Sequence, residues 1–444
     1  MKVIVQLRSS TAAHEAATRG VGGAAALTSG LEASALGISI DPSYPPVQLP
    51  SVQTSTGAGV RSLGQPLEFS LEPARSTYLV RGTIPDGVSQ AAAMQSAAAH
   101  PDVVGIFSDP LIESSIVCPG APAVGSVADV AKRLSVTKLK AKKMDGRNVF
   151  LAIVDTGINL AHLKSKGIVP TLDVGNSWTP TGVVTGPGTH PVNHGTMCAF
   201  DACIAAPKAT LLDYAVLLST TPGSTVMAGL LSDAVLAYAK LRAILGAVAQ
   251  TNRAMVISNS WGMFSPTWDF PPGHPGNYSD NPNHPFNLIV ASLEAAGADI
   301  LFAAGNCGSD CPDGRCAFGA TPPICGANSH PSVMSIAGVD TSKARVGYSS
   351  QGPGRLTKMK PDIAAYTHFT GSGVYPVDGG TSAACPVAAG VIAAVRTKYP
   401  AAKLSPLQMR SLVQKTAEDM AHIGFDPDYG WGILDPAALL PALP

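Results

Sequence analysis

Four polar side chains in this sequence have the types that nucleophilic attack on a carbonyl requires. Asp155 lies in VDTGIN, His194 in NHGTMCAF, Asn306 directly after DILFAAG, and Ser382 in GGTSAACPVAAG. A serine hydroxyl is a poor nucleophile until a neighbouring base takes its proton, and an imidazole held by a carboxylate is such a base. A carboxamide can then donate an N–H group to the negative oxygen of the tetrahedral intermediate.

The residues around Ser382 favour a tight turn into a helix with an accessible hydroxyl. Gly379 and Gly380 allow the backbone to turn sharply before the serine, and Ala383 and Ala384 leave room for a carbonyl group. At the positive end of a helix, the backbone N–H of Ser382 can also face a developing negative charge. A serine in this place is often only a helix cap, so the interpretation as a nucleophile depends on the other three residues.

The surrounding elements predict an α/β fold with a mostly parallel sheet and helices on both faces. Continuous apolar runs alternate with helical stretches, as in buried parallel sheets. In such folds chemistry is placed at the carboxyl ends of the strands, which is where the four polar residues lie. The predicted strands are 148–154, 209–216, 254–260, 299–305 and 333–339, and the predicted helices are 225–250, 286–297, 381–398 and 405–416.

The first quarter of the chain differs from the rest in its pattern of strand-like, helical and loop segments, which predicts a small α+β domain over residues 1–114. It contains strand-like pieces at 2–7, 76–84 and 103–110, a helical stretch at 89–100, and a long loop at 38–66 that is rich in Pro, Gly and Ser. A second loop carries Pro119 and Pro122. We therefore expect a linker at 115–125 and a second domain at 126–444.

Five motifs, VDTGIN, NHGT, SNSWG, AAGN and GTSAACPVAAG, occur in an order that resembles the subtilisin-like serine proteases, the subtilase family. The resemblance covers roughly residues 125–444 and extends to YGWGILDPAALL near the end. It implies a serine endopeptidase that forms an acyl-enzyme, with Asp155, His194 and Ser382 as the triad and Asn306 in the oxyanion hole. It also implies protein or peptide substrates that pair with the enzyme as an added strand.

The same resemblance assigns the walls of the substrate's primary pocket. They are Ser260, Trp261 and Gly262 on one side, and Ala303, Ala304 and Gly305 on the other. Trp261 is larger than the usual residue there, so we expect it to narrow or reshape the pocket.

Two further positions near the histidine bear on activity. Met197 replaces the family's usual histidine outside the triad, so activity should survive. Cys198 resembles the buried thiol that some branches carry under the catalytic histidine, which predicts inhibition by mercurials.

Residues 76–113 look like the second half of a subtilase propeptide. The resemblance implies a ferredoxin-like unit that helps the protease to fold, and whose tail lies in the active site until it is cut. We therefore expect a zymogen that cleaves itself within 111–125, with the N-terminal domain as an intramolecular inhibitor. The alternative, an accessory interaction domain, stays open.

The eight cysteines leave a choice between disulfides, zinc and free thiols. Cys307, Cys311, Cys316 and Cys325 cluster after Asn306, without the paired spacing of a common zinc site, which favours two disulfides that brace this loop. Disulfides suit an oxidising compartment, whereas residues 1–10 contain no apolar signal segment. Cys118, in the linker, is expected to be free.

Composition and missing motifs exclude several classes. Lys plus Arg and Asp plus Glu both number 30, which argues against nucleic acid and charged membrane surfaces, and the apolar run Cys385 to Val395 is too short to span a bilayer. An aspartic protease needs a second DTG, and a nucleotide site needs a glycine-rich loop after the first strand of the parallel sheet. The sequence contains neither, because DTG occurs once and that strand leads into DTGIN. The resemblance implies that the chemistry needs no cofactor. It also implies a structural calcium ion, which is common in the family, but assigns no ligands to it. The remaining alternative is a catalytically idle peptide-binding module, which a fluorophosphonate would not label.

Overall fold

The computed structural model describes residues 1–8, 37–49, 51–52, 67–68, 76–114, 121–218, 220, 227–317, 319 and 322–444. The strands are β1 (Lys2–Arg8), β2 (Ser39–Ile40), β3 (Val47–Gln48), β4 (Ser51–Val52), β5 (Leu67–Glu68), β6 (Thr77–Thr83), β7 (Val103–Ser108), β8 (Leu111–Glu113), β9 (Phe150–Val154), β10 (Thr171–Leu172), β11 (Thr210–Tyr214), β12 (Ala228–Leu230), β13 (Met255–Asn259), β14 (Ala298–Ala303), β15 (Met334–Val339) and β16 (Ile363–Tyr366). The α-helices are α1 (Gln90–Ala98), α2 (Val127–Arg133), α3 (Val136–Ala141), α4 (Leu160–Ser165), α5 (His194–Cys203), α6 (Leu231–Ala247), α7 (Pro285–Ala295), α8 (Thr381–Arg396), α9 (Pro406–Thr416) and α10 (Pro436–Ala442).

A seven-stranded parallel sheet forms the centre of the molecule, in the order β10-β11-β9-β13-β14-β15-β16. Its strands alternate with helices along the chain, so the predicted α/β fold is confirmed. The five predicted strands are present as β9, β11, β13, β14 and β15, and the four predicted helices as α6 to α9. Two strands at the edges of the sheet, β10 and β16, were not predicted.

The sheet is apolar on both faces because successive side chains of a strand point in opposite directions. In β9, Leu151 and Ile153 pack on the face covered by α5 and α8, whereas Ala152 and Val154 pack on the face covered by α6 and α7. Burial on both sides fixes the register of the central strands, and with it the position of each strand's carboxyl end.

The N-terminal region forms a separate antiparallel sheet in the order β2-β6-β1-β7, with β3 also paired to β6. Helix α1 connects β6 to β7 and buries Ala93 and Ala97 against one face of this sheet. The long loop predicted at 38–66 is wrong in part, because β2, β3 and β4 lie within it. Residue 50 and residues 53–66 are outside the described residues.

The other face of the N-terminal sheet lies against α6. The Tyr44 hydroxyl donates to the Ser232 carbonyl at 2.7 Å, and Arg81 lies 2.6 Å from Asp233. The Asp109 carboxylate accepts from both the N–H and the hydroxyl of Ser232, each at 2.7 Å, and so caps α6. Within the part of the chain described above, every helix is too short or too polar to cross a membrane.

Candidate active site

Asp155 and His194 form a buried hydrogen-bonded pair. His194 Nδ1 lies 2.8 Å from Asp155 Oδ1 and 3.0 Å from Oδ2, and the two residues are 5% and 1% exposed. The second oxygen contact and a 2.7 Å bond from the Thr156 N–H fix the carboxylate in place. A carboxylate on Nδ1 holds the neutral imidazole with its proton on that atom, which leaves Nε2 as the acceptor that a general base needs.

The backbone brings these two residues together from different elements. Asp155 directly follows β9, and His194 is the first residue of α5. Gly195 permits the close approach, because a Cβ on it would lie 2.6 Å from the Gly157 carbonyl oxygen and 3.2 Å from the Asp155 Cβ. The Gly195 N–H also donates to the Thr156 hydroxyl at 2.8 Å.

Ser382 is the second residue of α8, as the sequence predicted. Gly380 precedes the helix with a φ of +78°, a backbone conformation that favours glycine. The Ser382 carbonyl accepts from the Ser260 hydroxyl at 2.9 Å, which ties the start of α8 to the end of β13. The Ser382 hydroxyl is buried and has no hydrogen-bond partner among the described residues. The structure thus contains the Asp–His hydrogen bond but not the His–Ser one, which in resting enzymes is often formed only with substrate.

The thiol of Cys198 shows that the three residues nevertheless share one site. Its Sγ lies 3.7 Å from Asp155 Oδ2, 3.8 Å from His194 Nδ1 and 3.5 Å from the Ser382 carbonyl oxygen. Burial and the nearby Asp155 charge raise the pKa of Cys198 well above its ordinary value, so the thiol stays protonated. Asp155, His194 and Cys198 are also the one group of potential metal ligands found in the described residues.

Mercurials that reach Cys198 are expected to inhibit by about 100-fold, since a heavy atom on Sγ must displace either the His194 ring or the start of α8. The measurement is residual peptide hydrolysis after titration with a mercurial. Cys198→Ala is the matched control and should keep activity without the sensitivity. Full activity of the wild-type protein after mass spectrometry has shown Cys198 to be modified would refute this prediction.

Asn306 lies at the carboxyl end of β14, beside the start of α8. Its Oδ1 accepts from the N–H and from the hydroxyl of Thr381, each at 3.0 Å. The same hydroxyl accepts from the Gly305 N–H at 3.0 Å. Because Oδ1 is held in this way, the amide nitrogen of Asn306 is directed away from Thr381.

A strand from the N-terminal region occupies the groove beside these residues. β8 pairs antiparallel with β12 on one side. On its other side, Glu113 exchanges two backbone hydrogen bonds with Gly262, at 3.0 Å and 2.9 Å. An extended segment between two such partners is the geometry of a peptide bound by strand addition. The resemblance implied a tail in the active site, but no residue pattern indicated which residues would pair there.

Trp261 does not narrow the groove, contrary to the expectation from its size. Its indole is buried and packs against the rings of Phe302 and Phe286, at centroid distances of 5.0 and 5.9 Å. The reason is strand alternation, since Ser260 and Gly262 face the site and the residue between them faces the core. A different aromatic, Phe264, lies near Gly262 and Gly305. A Cβ on Gly262 would be 3.2 Å from its ring, and one on Gly305 would be 3.4 Å away.

The cysteine cluster after Asn306 contains disulfides and a thiol. Cys307 and Cys316 are bonded to each other, and Cys311 is also disulfide-bonded. Cys325 is a buried free thiol, so the expectation that all four brace the loop in pairs is wrong. Cys118 lies outside the described residues.

Comparison with known proteins identifies the relatives of this chain. The family model described as the subtilase family matches residues 146–432. Subtilisin DY from Bacillus licheniformis is 28% identical over 307 residues, which cover 68% of this chain and 94% of that protein. Subtilisin E from Bacillus subtilis is 26% identical over 318 residues, 68% of each protein. A calcium-dependent protease from Trichormus variabilis is 27% identical over 330 residues, 66% of this chain and 46% of that protein.

Proposed function

This chain belongs to the subtilase family of serine endopeptidases, and from that premise we propose that Ser382, His194 and Asp155 form its catalytic triad. The single observation that carries the assignment is the buried contact of His194 Nδ1 with Asp155 at 2.8 Å, next to a serine at the start of a helix. The family's chemistry needs no cofactor, and its substrates are proteins.

In the proposed mechanism, Ser382 Oγ attacks the carbonyl carbon of the substrate while its proton passes to His194 Nε2. The carbonyl oxygen becomes an oxyanion, which accepts hydrogen bonds from the Asn306 amide and the Ser382 N–H. When the intermediate collapses, the proton on Nε2 goes to the leaving amine, and the acyl group stays on Oγ. A water molecule then releases the acyl group by the same proton transfers.

A fluorophosphonate probe tests this proposal directly. It reacts only with a serine that a working base activates, so wild-type protein should be labelled on Ser382 and should hydrolyse a casein substrate. The label is mapped by peptide mass spectrometry. Absence of both labelling and hydrolysis in a folded sample would instead indicate the idle peptide-binding module.

The N-terminal region is proposed to be an inhibitory prodomain, so that the protein is made as a zymogen. Three contacts support this: β8 lies in the groove, Asp109 caps α6, and the sheet packs on the same helix. The strand order, with β6 and β7 parallel on either side of β1 and α1 between them, is that expected of a ferredoxin-like split β-α-β unit. Self-cleavage is proposed within 111–125, of which residues 115–120 are outside the described part.

The primary pocket is proposed to lie between Ser260–Gly262 and Ala303–Gly305, where the Phe264 ring takes up the space. The cavity that remains there measures about 10 Å³ and is lined by Gly262, Phe264 and Ala304 among others. That volume holds about one water molecule, so small substrate side chains should be preferred.

Phe264→Ala is expected to shift this preference toward bulky apolar side chains by about tenfold or more in kcat/KM, because the pocket gains the volume of a ring. The measurement is a peptide series in which only the residue before the scissile bond changes. Phe425→Ala is a matched control, since that ring packs on Trp431. An unchanged preference in the Phe264 variant would contradict the assignment of this pocket.

A structural calcium ion is a proposal without assigned ligands. Its support is the relative whose name describes a calcium-dependent protease.

A further inference from the structure

The loop after Asn306 contacts β8, the strand in the groove, through an arginine. Arg315 Nη1 donates to Glu113 Oε2, and Nη2 donates to the Ser114 carbonyl at 2.8 Å. The two partners are 202 residues apart in sequence. Their side chains are only 25% and 17% exposed, so the ion pair is partly shielded from solvent. The guanidinium thus binds a side-chain carboxylate and an adjacent backbone carbonyl of one extended segment.

Arg315 is held in position by its own surroundings rather than by the strand. Asp313 accepts from Nε at 3.0 Å and from Nη2 at 2.6 Å. The Asp313 N–H donates to the Asn306 carbonyl at 2.8 Å, and the Cys307–Cys316 disulfide closes the loop. Burial by itself would lower the pKa of Arg315, but the Asp313 and Glu113 carboxylates raise it above its ordinary value, so the guanidinium stays protonated.

Backbone hydrogen bonds define which residue of a bound peptide lies next to Arg315. Glu113 is the residue that exchanges two hydrogen bonds with Gly262, so a substrate strand in the same groove would place one of its own side chains there. Since Asp313 occupies Nε and Nη2, Nη1 is the donor directed at that side chain. A carboxylate gives it a charged partner, whereas a neutral side chain leaves it without one.

We propose that Arg315 makes this protease selective for acidic peptides, namely those with a carboxylate side chain at the position that pairs with Gly262. The inference rests on the proposed function of the groove. Glu113 of the chain's own β8 then occupies the place that the acidic residue of a substrate would take. Recognition combines charge with a backbone carbonyl contact that every peptide offers, so Arg315 contributes both to binding and to selection.

The experiment compares quenched fluorescent peptides that span residues 107–125, with serine for Cys118 and with Glu, Gln or Lys at position 113. The full-length chain is used, and intact mass shows which of its forms are present. In the wild type we expect kcat/KM to be about tenfold higher for Glu than for Gln, and higher still relative to Lys. The ratio is taken within one preparation, so the active fraction cancels.

Arg315→Gln should bring the Glu-to-Gln ratio to about 1, and Arg315→Glu should favour the Lys peptide. Arg410→Gln is the matched control, because that arginine lies 3.6 Å from Glu294 of α7 and should keep the wild-type ratio. Equal hydrolysis of the Glu and Gln peptides by a fluorophosphonate-reactive wild type would overturn the inference and leave the proposed function intact. Lack of both labelling and hydrolysis would overturn the two together.

Discussion

Replacing Ser382 with alanine is expected to lower peptide hydrolysis by about a million-fold while the protein stays folded. The magnitude is borrowed from the equivalent loss in subtilisin, a relative of this chain. The variant removes the only atom proposed to attack the carbonyl, so neither His194 nor Asn306 can compensate. The fold should tolerate the change because the Ser382 hydroxyl is buried without a hydrogen-bond partner in the described structure, and alanine removes only that atom.

Two measurements are combined for this variant. Initial rates with a quenched peptide give kcat/KM, and intact-mass analysis shows whether the chain is cut within 111–125. Ser292→Ala is the matched control, since this serine is equally buried but donates to the Ile289 carbonyl on α7. If Ser382→Ala hydrolyses peptides at the rate of the control, another residue is the nucleophile. If both proteins stay uncut and the control is active, the prodomain proposal fails and the triad proposal survives.

The sequence predicted the central sheet and the elements on which the four polar residues lie, for a physical reason. Strands buried on both faces are continuous apolar runs, so β9 and β14 could be recognised from composition alone. Parallel strands end at one edge of a sheet, so the residues after them had to lie near one another. Asp155 and Asn306 follow such strands, and His194 and Ser382 begin helices that pack together.

What the sequence did not predict depends on pairing between distant segments. β2 and β3 contain two residues each, so they show no alternation to detect and appeared as loop. The resemblance implied a tail in the active site, but the pairing of β8 with β12 and Gly262 involves backbone hydrogen bonds, which any residue can form. Arg315 and Glu113 are charged residues of common type, and only their contact across the groove gives them a role.

The side chain of Trp261 illustrates a further limit. Its identity suggested a smaller pocket, but which face of the strand it occupies depends on register. Ser260 donates to the Ser382 carbonyl, which fixes that register and turns the indole into the core. The ring of Phe264, two residues after Gly262, lies near Gly262 and Gly305 instead.

Asn306→Ala is expected to lower kcat by about 100- to 1000-fold with little change in KM. The range is that of the corresponding substitution in subtilisin and is borrowed from it. The carbonyl oxygen carries a full negative charge only in the tetrahedral intermediate and its transition states, so the lost N–H donor matters there and hardly in the bound substrate. Steady-state rates over a range of peptide concentrations separate the two constants.

The Ser382 N–H is fixed by the backbone of α8, so it cannot move to replace the N–H donor that the variant loses. The variant also leaves the N–H and the hydroxyl of Thr381 without the Asn306 Oδ1 that accepts from them. Asn287→Ala is the matched control, because it removes a buried carboxamide on α7 that bonds to Tyr278 and Asn281 carbonyls. Thermal denaturation of both variants tests whether the fold is retained. A rise in KM at constant kcat would mean that Asn306 binds the substrate carbonyl before the reaction begins, and the oxyanion role would then belong to the helix N-terminus alone.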